Sequence, residues 1–268
     1  MTPDIRPEYE LFAIRYARRE ARRPEHFIGG DPHDAPMPMD YFIWLIRGAG
    51  RAVVVDCGFA AEVAVRRKRE FLRCPADALR LLGVEPATVT DLVLTHLHYD
   101  HVGNLGLFPA ATIHLQEPDL HYAVGRHMRH PHLRQPFEVE DIVDVVRLNH
   151  AGRVRLYNGV VPLCPGIRLH PAPGHSAGLQ FVQANTGRGD VVLASDAAHF
   201  YETLETGRPF PVCVSVAESF ESYDRVLAAA SSRDHVIPGH DPLVMRRYPA
   251  PRPELEGIVA RLDVPPLA

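Results

Sequence analysis

The stretch DLVLTHLHYDH, residues 91–101, decides how the rest of the chain is read. Its first five residues form an apolar run of strand character, and HxHxDH follows directly, with His96, His98, Asp100 and His101 at its fixed positions. A chain leaving a strand in a tight loop turns His96 and His98 toward one point. Asp100 and His101, further on, then face a second point nearby. Imidazole suits zinc and other borderline metals, and a carboxylate adds the negative charge that retains a divalent cation. Two metal ions side by side are the expectation.

Six residues cannot fill two coordination spheres, so further ligands must lie downstream. Three candidates stand just beyond apolar runs: His175 in PAPGHSAG, Asp196 in VVLASDAAH and His240 in HVIPGHDP. Sites in sheet-based folds collect at the ends of strands. Each of the three taken alone is ordinary turn chemistry, but together with HxHxDH they complete a seven-residue set. His121, His127, His130, His132 and His150 match no ligand spacing and are expected at the surface.

Outward from the motif, short runs rich in Val, Ile and Leu read as strands at 41–46, 52–56, 91–95, 111–115, 166–170, 179–183, 191–195 and 235–238. Helix-like stretches lie near 75–82, 99–107, 117–129, 216–230 and 253–262, the first opened by Pro75 and stopped by Gly83. Strands and helices are mixed throughout, an α/β pattern, and no repeat or low-complexity linker divides residues 1–268 into more than a single domain. Two segments, 20–40 and 117–160, read either as a rim over a site or as surface padding.

Composition excludes several classes. Hydrophobic residues make up 46% and charged residues 23%, as in an ordinary globular protein. A net charge of −4 gives no electrostatic reason to expect nucleic acid. The basic runs Arg18, Arg19, Arg22, Arg23 and Arg66, Arg67, Lys68, Arg69 read as solvated helix faces. Cys57, Cys74, Cys164 and Cys213 show no CxxC pairing, so neither a disulfide scaffold nor a zinc knuckle is expected. The first 20 residues contain no signal-type apolar core, and no run reaches the roughly 18–20 apolar residues of a membrane span. A cytoplasmic protein with no membrane partner is expected, with a homodimer left open.

The pattern HxHxDH, then His, then Asp, then His resembles that of the metallo-β-lactamase fold superfamily, from DCG at 56–58 through GHD at 239–241. The resemblance implies an αββα four-layer sandwich. It implies that His96, His98 and His175 bind one divalent ion, Asp100, His101 and His240 a second, and that Asp196 bridges them, zinc being the expected metal. It also implies that Asp56 orients a ligand histidine from behind.

Two ions about 3.5–4 Å apart can present hydroxide at neutral pH, with Asp100 carrying a proton to the departing oxygen. β-Lactamases of the fold usually have cysteine where Asp196 stands, and flavodiiron enzymes have glutamate where His98 stands. Glyoxalase II-like thioesterases carry a C-terminal extension that has no counterpart after His240 here. The chain is most similar to the N-acyl-homoserine lactonase group, which implies a lactone or other small ester as substrate. That group usually has tyrosine three residues after the bridging aspartate, and this chain has His199. His199 is therefore the expected donor to the substrate carbonyl, with Tyr201 as its rival. A thioesterase or other ester hydrolase, a mononuclear iron sulfur dioxygenase and a non-catalytic binding protein are the alternatives on the same scaffold.

Overall fold

Two antiparallel strands, β1 (Glu10–Arg19) and β2 (Met39–Gly48), lie at the heart of the first sheet in the computed structural model, which describes residues 6–267. Successive side chains of a strand point to opposite faces. In β2 both faces are covered: Tyr41, Ile43 and Leu45 enter one apolar layer, while Phe42, Trp44 and Ile46 enter another. Burial on both faces explains why YFIWLI is continuously apolar instead of alternating.

The first sheet continues through β3 (Arg51–Val55), the two-residue β4 (Glu70–Phe71) paired to β1, β5 (Asp91–Val93), β6 (Thr112–Gln116) and β7 (Val154–Tyr157). From β3 to β7 the ladder β3-β5-β6-β7 is parallel, so these strands end on one side. The second sheet holds β8 (Val161–Cys164), β9 (Ile167–Pro171), β10 (Gln180–Thr186), β11 (Gly189–Ser195) and β12 (Val236–Pro238), with β11 and β12 parallel. The last strand, β13 (Val259–Arg261), returns to the edge of the first sheet beside β1.

Three apolar layers hold four layers of structure together. Between the sheets, Phe42, Trp44, Val53 and Val93 meet Leu169, Val182, Leu193 and Ile237. Outside the first sheet lie helices Ala61–Arg67, Pro75–Leu81, Glu117–Ala123 and Val139–His150, and outside the second lies Val216–Ala229. The architecture is the αββα sandwich expected from the sequence.

The eight expected strands are all present, but β1, β4, β7, β8 and β13 carry no such expectation, nor does the helix Val139–His150. The stretch 253–262 is not helical: a short 3-10 turn, Pro253–Leu255, gives way at Gly257 (φ 71°) to β13, which finds its partners on the open edge of β1. Helix 99–107 stops at Val102, because Gly103 packs its backbone against Gly58 and Phe59, where a Cβ would lie 3.0 Å from both. Helix 117–129 likewise ends at Ala123 and resumes as a 3-10 turn, Arg126–Arg129. Of the basic runs, only Arg66 and Arg67 lie on an α-helix, with Arg66 exposed as expected. Arg18 and Arg19 lie on β1, and Lys68 (φ 54°) ends the helix Ala61–Arg67, so that Arg69 turns back toward the domain. No described helix is long and apolar enough to cross a membrane.

Trp44 is fully buried between the sheets, whereas Val65 on the outer helix is 79% exposed. Trp44→Ala is expected to cost about 3–5 kcal/mol in denaturant unfolding through the cavity it leaves. Val65→Ala should stay within about 0.5 kcal/mol.

Candidate metal centre

The strand ends of both sheets meet at one seam, and the candidate ligands sit there. Asp56 follows β3, His96 to His101 follow β5, His175 lies between β9 and β10, Asp196 follows β11 and His240 follows β12. His96, His98, Asp100, His101, His175, Asp196 and His240 are all buried.

Asp196 stands at the centre. Its Oδ2 lies 3.2 Å from His175 Nε2 and 3.9 Å from His96 Nε2, and its Oδ1 lies 3.0 Å from His240 Nε2 and 3.4 Å from His101 Nε2. His175 Nε2 is 2.9 Å from His98 Nδ1, and Asp100 Oδ2 is 3.7 Å from both His101 and His240 Nε2. The donor atoms thus form one group of His96, His98 and His175 and another of Asp100, His101 and His240, each within 4.8 Å internally. One carboxylate oxygen of Asp196 faces each group.

The residues behind the cluster fix which ring nitrogens point inward. His101 Nδ1 is held by Asp56 Oδ2 at 2.7 Å, His240 Nδ1 by the Asp40 carbonyl at 2.9 Å, and His96 Nδ1 by Thr95 Oγ1 at 3.1 Å. Each of these bonds leaves Nε2 turned to the centre, the arrangement by which outer partners set the tautomer of a ligand histidine. His96 Nε2, His101 Nε2 and Asp196 Oδ1 are buried with no hydrogen-bond partner among the described residues. Buried polar atoms are nearly always paired, and unpaired nitrogen and carboxylate donors aimed at a common centre fit a zinc-type divalent ion.

The electrostatics follow from the crowding. Burial alone would raise the Asp196 carboxyl, but His240, His199, His101 and His175 around it hold it well below its usual range. Burial together with the neighbouring imidazoles pushes His96 and His98 well down. Burial would push His101 down as well, but Asp196, Asp56 and Asp100 reverse that and hold it well above its ordinary value.

Two carboxylates tie the loops in place. Asp56, in the left-handed region at φ 60°, accepts from Thr95 N at 2.7 Å and Thr95 Oγ1 at 2.8 Å besides His101. Asp119 is fully buried and accepts from Leu97 N at 2.7 Å and Gly178 N at 3.0 Å, binding the HxHxDH loop to the loop that carries His175. Nothing in the sequence points to Asp119, because it looks like an acidic residue in the first turn of a helix. Gly239 allows the close approach of the last loop: a Cβ there would meet the Ser195 carbonyl at 2.7 Å and Asp196 Oδ1 at 2.9 Å.

His199 joins the cluster. Its Nε2 lies 3.1 Å from Asp196 Oδ2 and its ring stacks on Phe210 at 3.9 Å, with burial lowering its pKa to about 3 against the pull of Asp196. Tyr201 does not join. Its ring lies among the apolar residues between the sheets under Arg247, on a separate surface hollow with Pro36 and Met37, because the helix starting at Tyr201 turns the side chain away. Tyr201 is therefore removed from the candidate donors. The five histidines of 117–160 stay outside the cluster. Above the cluster is a cavity of about 110 Å³ whose wall includes Arg19, Met39, Gln135 and Pro136, so both peripheral segments contribute to a rim.

The family model of the metallo-beta-lactamase superfamily matches residues 38–248. The chain belongs to that superfamily. It is 33% identical over 182 residues to the human metallo-beta-lactamase domain-containing protein 1, covering 67% of this chain and 58% of that protein. It is 27% identical over 239 residues to the N-acyl homoserine lactonase AttM of Azorhizobium caulinodans, covering 80% of this chain and 85% of that one. A crystal structure of a quorum-quenching N-acyl homoserine lactone lactonase superposes with a TM-score of 0.74 at 22% identity, covering 90% of this chain and 95% of the other.

Because Asp56 holds His101 in place, Asp56→Asn presents an amide N–H to the ring nitrogen and disturbs its tautomer. Metal affinity measured by chelator competition is expected to fall about 10–100-fold, with the far-ultraviolet circular dichroism unchanged. Undiminished affinity would show that His101 is oriented without Asp56.

Proposed function

We propose that this chain is a two-metal ester hydrolase that opens a small lactone, of the N-acyl-homoserine lactone type, to a hydroxy acid. The observation that carries the reading is the position of Asp196 between two donor groups, one oxygen toward each. A one-metal oxidation catalyst has no use for the second group, Asp100, His101 and His240, which is why hydrolysis is favoured over sulfur oxidation. The curated relative AttM is a lactonase, and aspartate at 196 departs from the cysteine of β-lactamases.

His96, His98 and His175 would hold one ion, Asp100, His101 and His240 the other, with Asp196 shared between them; zinc fits the nitrogen-rich set. When bound, such a pair supplies the Lewis acidity that polarises a carbonyl and makes water a nucleophile near neutral pH. The chain's own residues supply the rest. Asp100 lies on the cavity wall, placed to take a proton and return it to the leaving oxygen. His199, neutral and on the same wall, is the proposed donor to the substrate oxygen as negative charge develops on it. The cavity, about 110 Å³, is sized for a compact reacting group. The four cysteines are unpaired, which fits a reducing, cytoplasmic setting.

Turnover of lactones, thioesters, phosphodiesters and β-lactams by protein loaded with zinc tests the assignment: lactones should lead, and thioesters well ahead would move it to the thioesterase alternative. Elemental analysis should find two divalent ions per chain, and one iron alone would overturn the two-metal reading. Asp100→Asn is expected to lower kcat by about 10²–10⁴. His199→Ala should lower kcat about 10²–10³-fold at unchanged metal content, with His199→Tyr recovering part of it. Loss of metal in His199→Ala would instead show that the ring serves to hold Asp196.

A further inference from the structure

Three arginines, Arg19, Arg67 and Arg69, line the cavity over the metal cluster, and its only carboxylates among the described residues are Asp100 and Asp196, both committed to the cluster. Two of the arginines are neutralised. Arg19 pairs with Glu25. Arg67 donates Nε to Glu138 at 2.8 Å and Nη2 to the Gln135 and Phe137 carbonyls, and its guanidinium lies 3.9 Å from the centre of the Tyr99 ring.

Arg69 differs. Its Nε donates to Tyr99 Oη at 3.0 Å and its Nη1 to the Arg67 carbonyl at 2.6 Å. Among the described residues no carboxylate lies within ion-pair distance of it, and its Nη2 has no partner. The brace is stiff: Tyr99 Oη is 3.3 Å from Tyr41 Oη, and the Tyr41 ring meets His240 edge-on at 5.1 Å. A half-buried guanidinium is thus held by two bonds with one donor edge free, on the wall of the reaction cavity. No ion pair among the described residues neutralises it, the Asp100 carboxylate acting on it only from beyond contact, and a guanidinium donor matches a carboxylate in charge.

We propose that Arg69 binds a carboxylate carried by the substrate, so that a lactone or ester whose side arm ends in a carboxylate is preferred to its neutral counterpart of equal length. The inference rests on the ester-hydrolase reading of the site and narrows its substrate class. Bracing the Tyr99 hydroxyl requires only a hydrogen-bond donor, whereas the unpaired charge at the cavity wall is what an anionic group would use.

The test uses the full chain loaded with zinc and a matched pair of lactones whose side arm ends in a carboxylate or in the carboxamide of equal length, with the same pair made as thioesters. The wild type should favour the carboxylate member in kcat/KM. In Arg69→Gln that carboxylate-to-carboxamide ratio should fall about ten- to a hundredfold, mainly through KM, the size expected for a charge-assisted hydrogen bond, and Arg69→Lys should recover part of it. A fall of equal size for both members, leaving the ratio unchanged, would show a bracing role and overturn the proposal. If the wild type hydrolyses neither lactone nor thioester, the ester-hydrolase reading fails, and calorimetry decides Arg69 separately. Non-hydrolysable versions of the pair are titrated into the same metal-loaded protein. A carboxylate preference lost in Arg69→Gln supports the assignment, and a preference unchanged in the variant places the anion on the metals alone and overturns it.

Discussion

Burying polar side chains without partners is the constraint on which the rest of this structure depends. Five imidazoles and two carboxylates stand together at the seam between two sheets, and several of their inward atoms have no hydrogen-bond partner among the described residues. An unsatisfied buried polar group costs on the order of 1–3 kcal/mol, so such a cluster survives only where the surrounding fold is stable and a cation compensates the charge. The three apolar layers supply the first condition. The nitrogen and carboxylate donor set fits the second.

The scaffold holds the ligands by local strain as well as by packing. Asp56 and Ser195 both adopt left-handed backbone at φ 60° and 47°, a conformation that costs a residue with a side chain about 1–3 kcal/mol. Both lie at the ends of strands, one directly behind the HxHxDH loop and the other immediately before Asp196. They are also joined, since Thr95 Oγ1 bonds Asp56 Oδ2 at 2.8 Å and Ser195 Oγ at 2.9 Å. A single buried threonine therefore links the two sheets behind the site, and the turns it fixes set where His96, His101 and Asp196 point.

The outer wall shows a different use of charge. Ion pairs engage Arg19 and Arg67, and the pair of Arg67 with Glu138 ties the turn after residue 134 to the rim. The apolar stacking of His199 on Phe210 closes the opposite side. The cluster is consequently buried at its floor and polar at its mouth, an arrangement in which electrostatic contacts act more strongly than they would in water.

Much of this was legible in the sequence, and the reason is that ligand chemistry is residue-specific. HxHxDH, the isolated His175, Asp196 and His240, and the apolar runs preceding them announce a metal centre at strand ends, because few other residue types can hold a divalent ion and few other patterns bury both faces of a strand. What the sequence did not disclose depends on partners distant along the chain. The strand β13 exists because β1, far earlier in the chain, offers an open edge on which Ile14 faces Val259 and Phe12 faces Arg261. Asp119 matters because folding brings Leu97 and Gly178 to its two oxygens. Arg69 faces the cavity because Lys68 breaks a helix there, and Tyr201 leaves it because a new helix begins at that residue. Chemistry written into side-chain identity could be read from the sequence alone, whereas the direction in which each side chain points is set by backbone geometry and by contacts between segments far apart, and only the tertiary structure decided it.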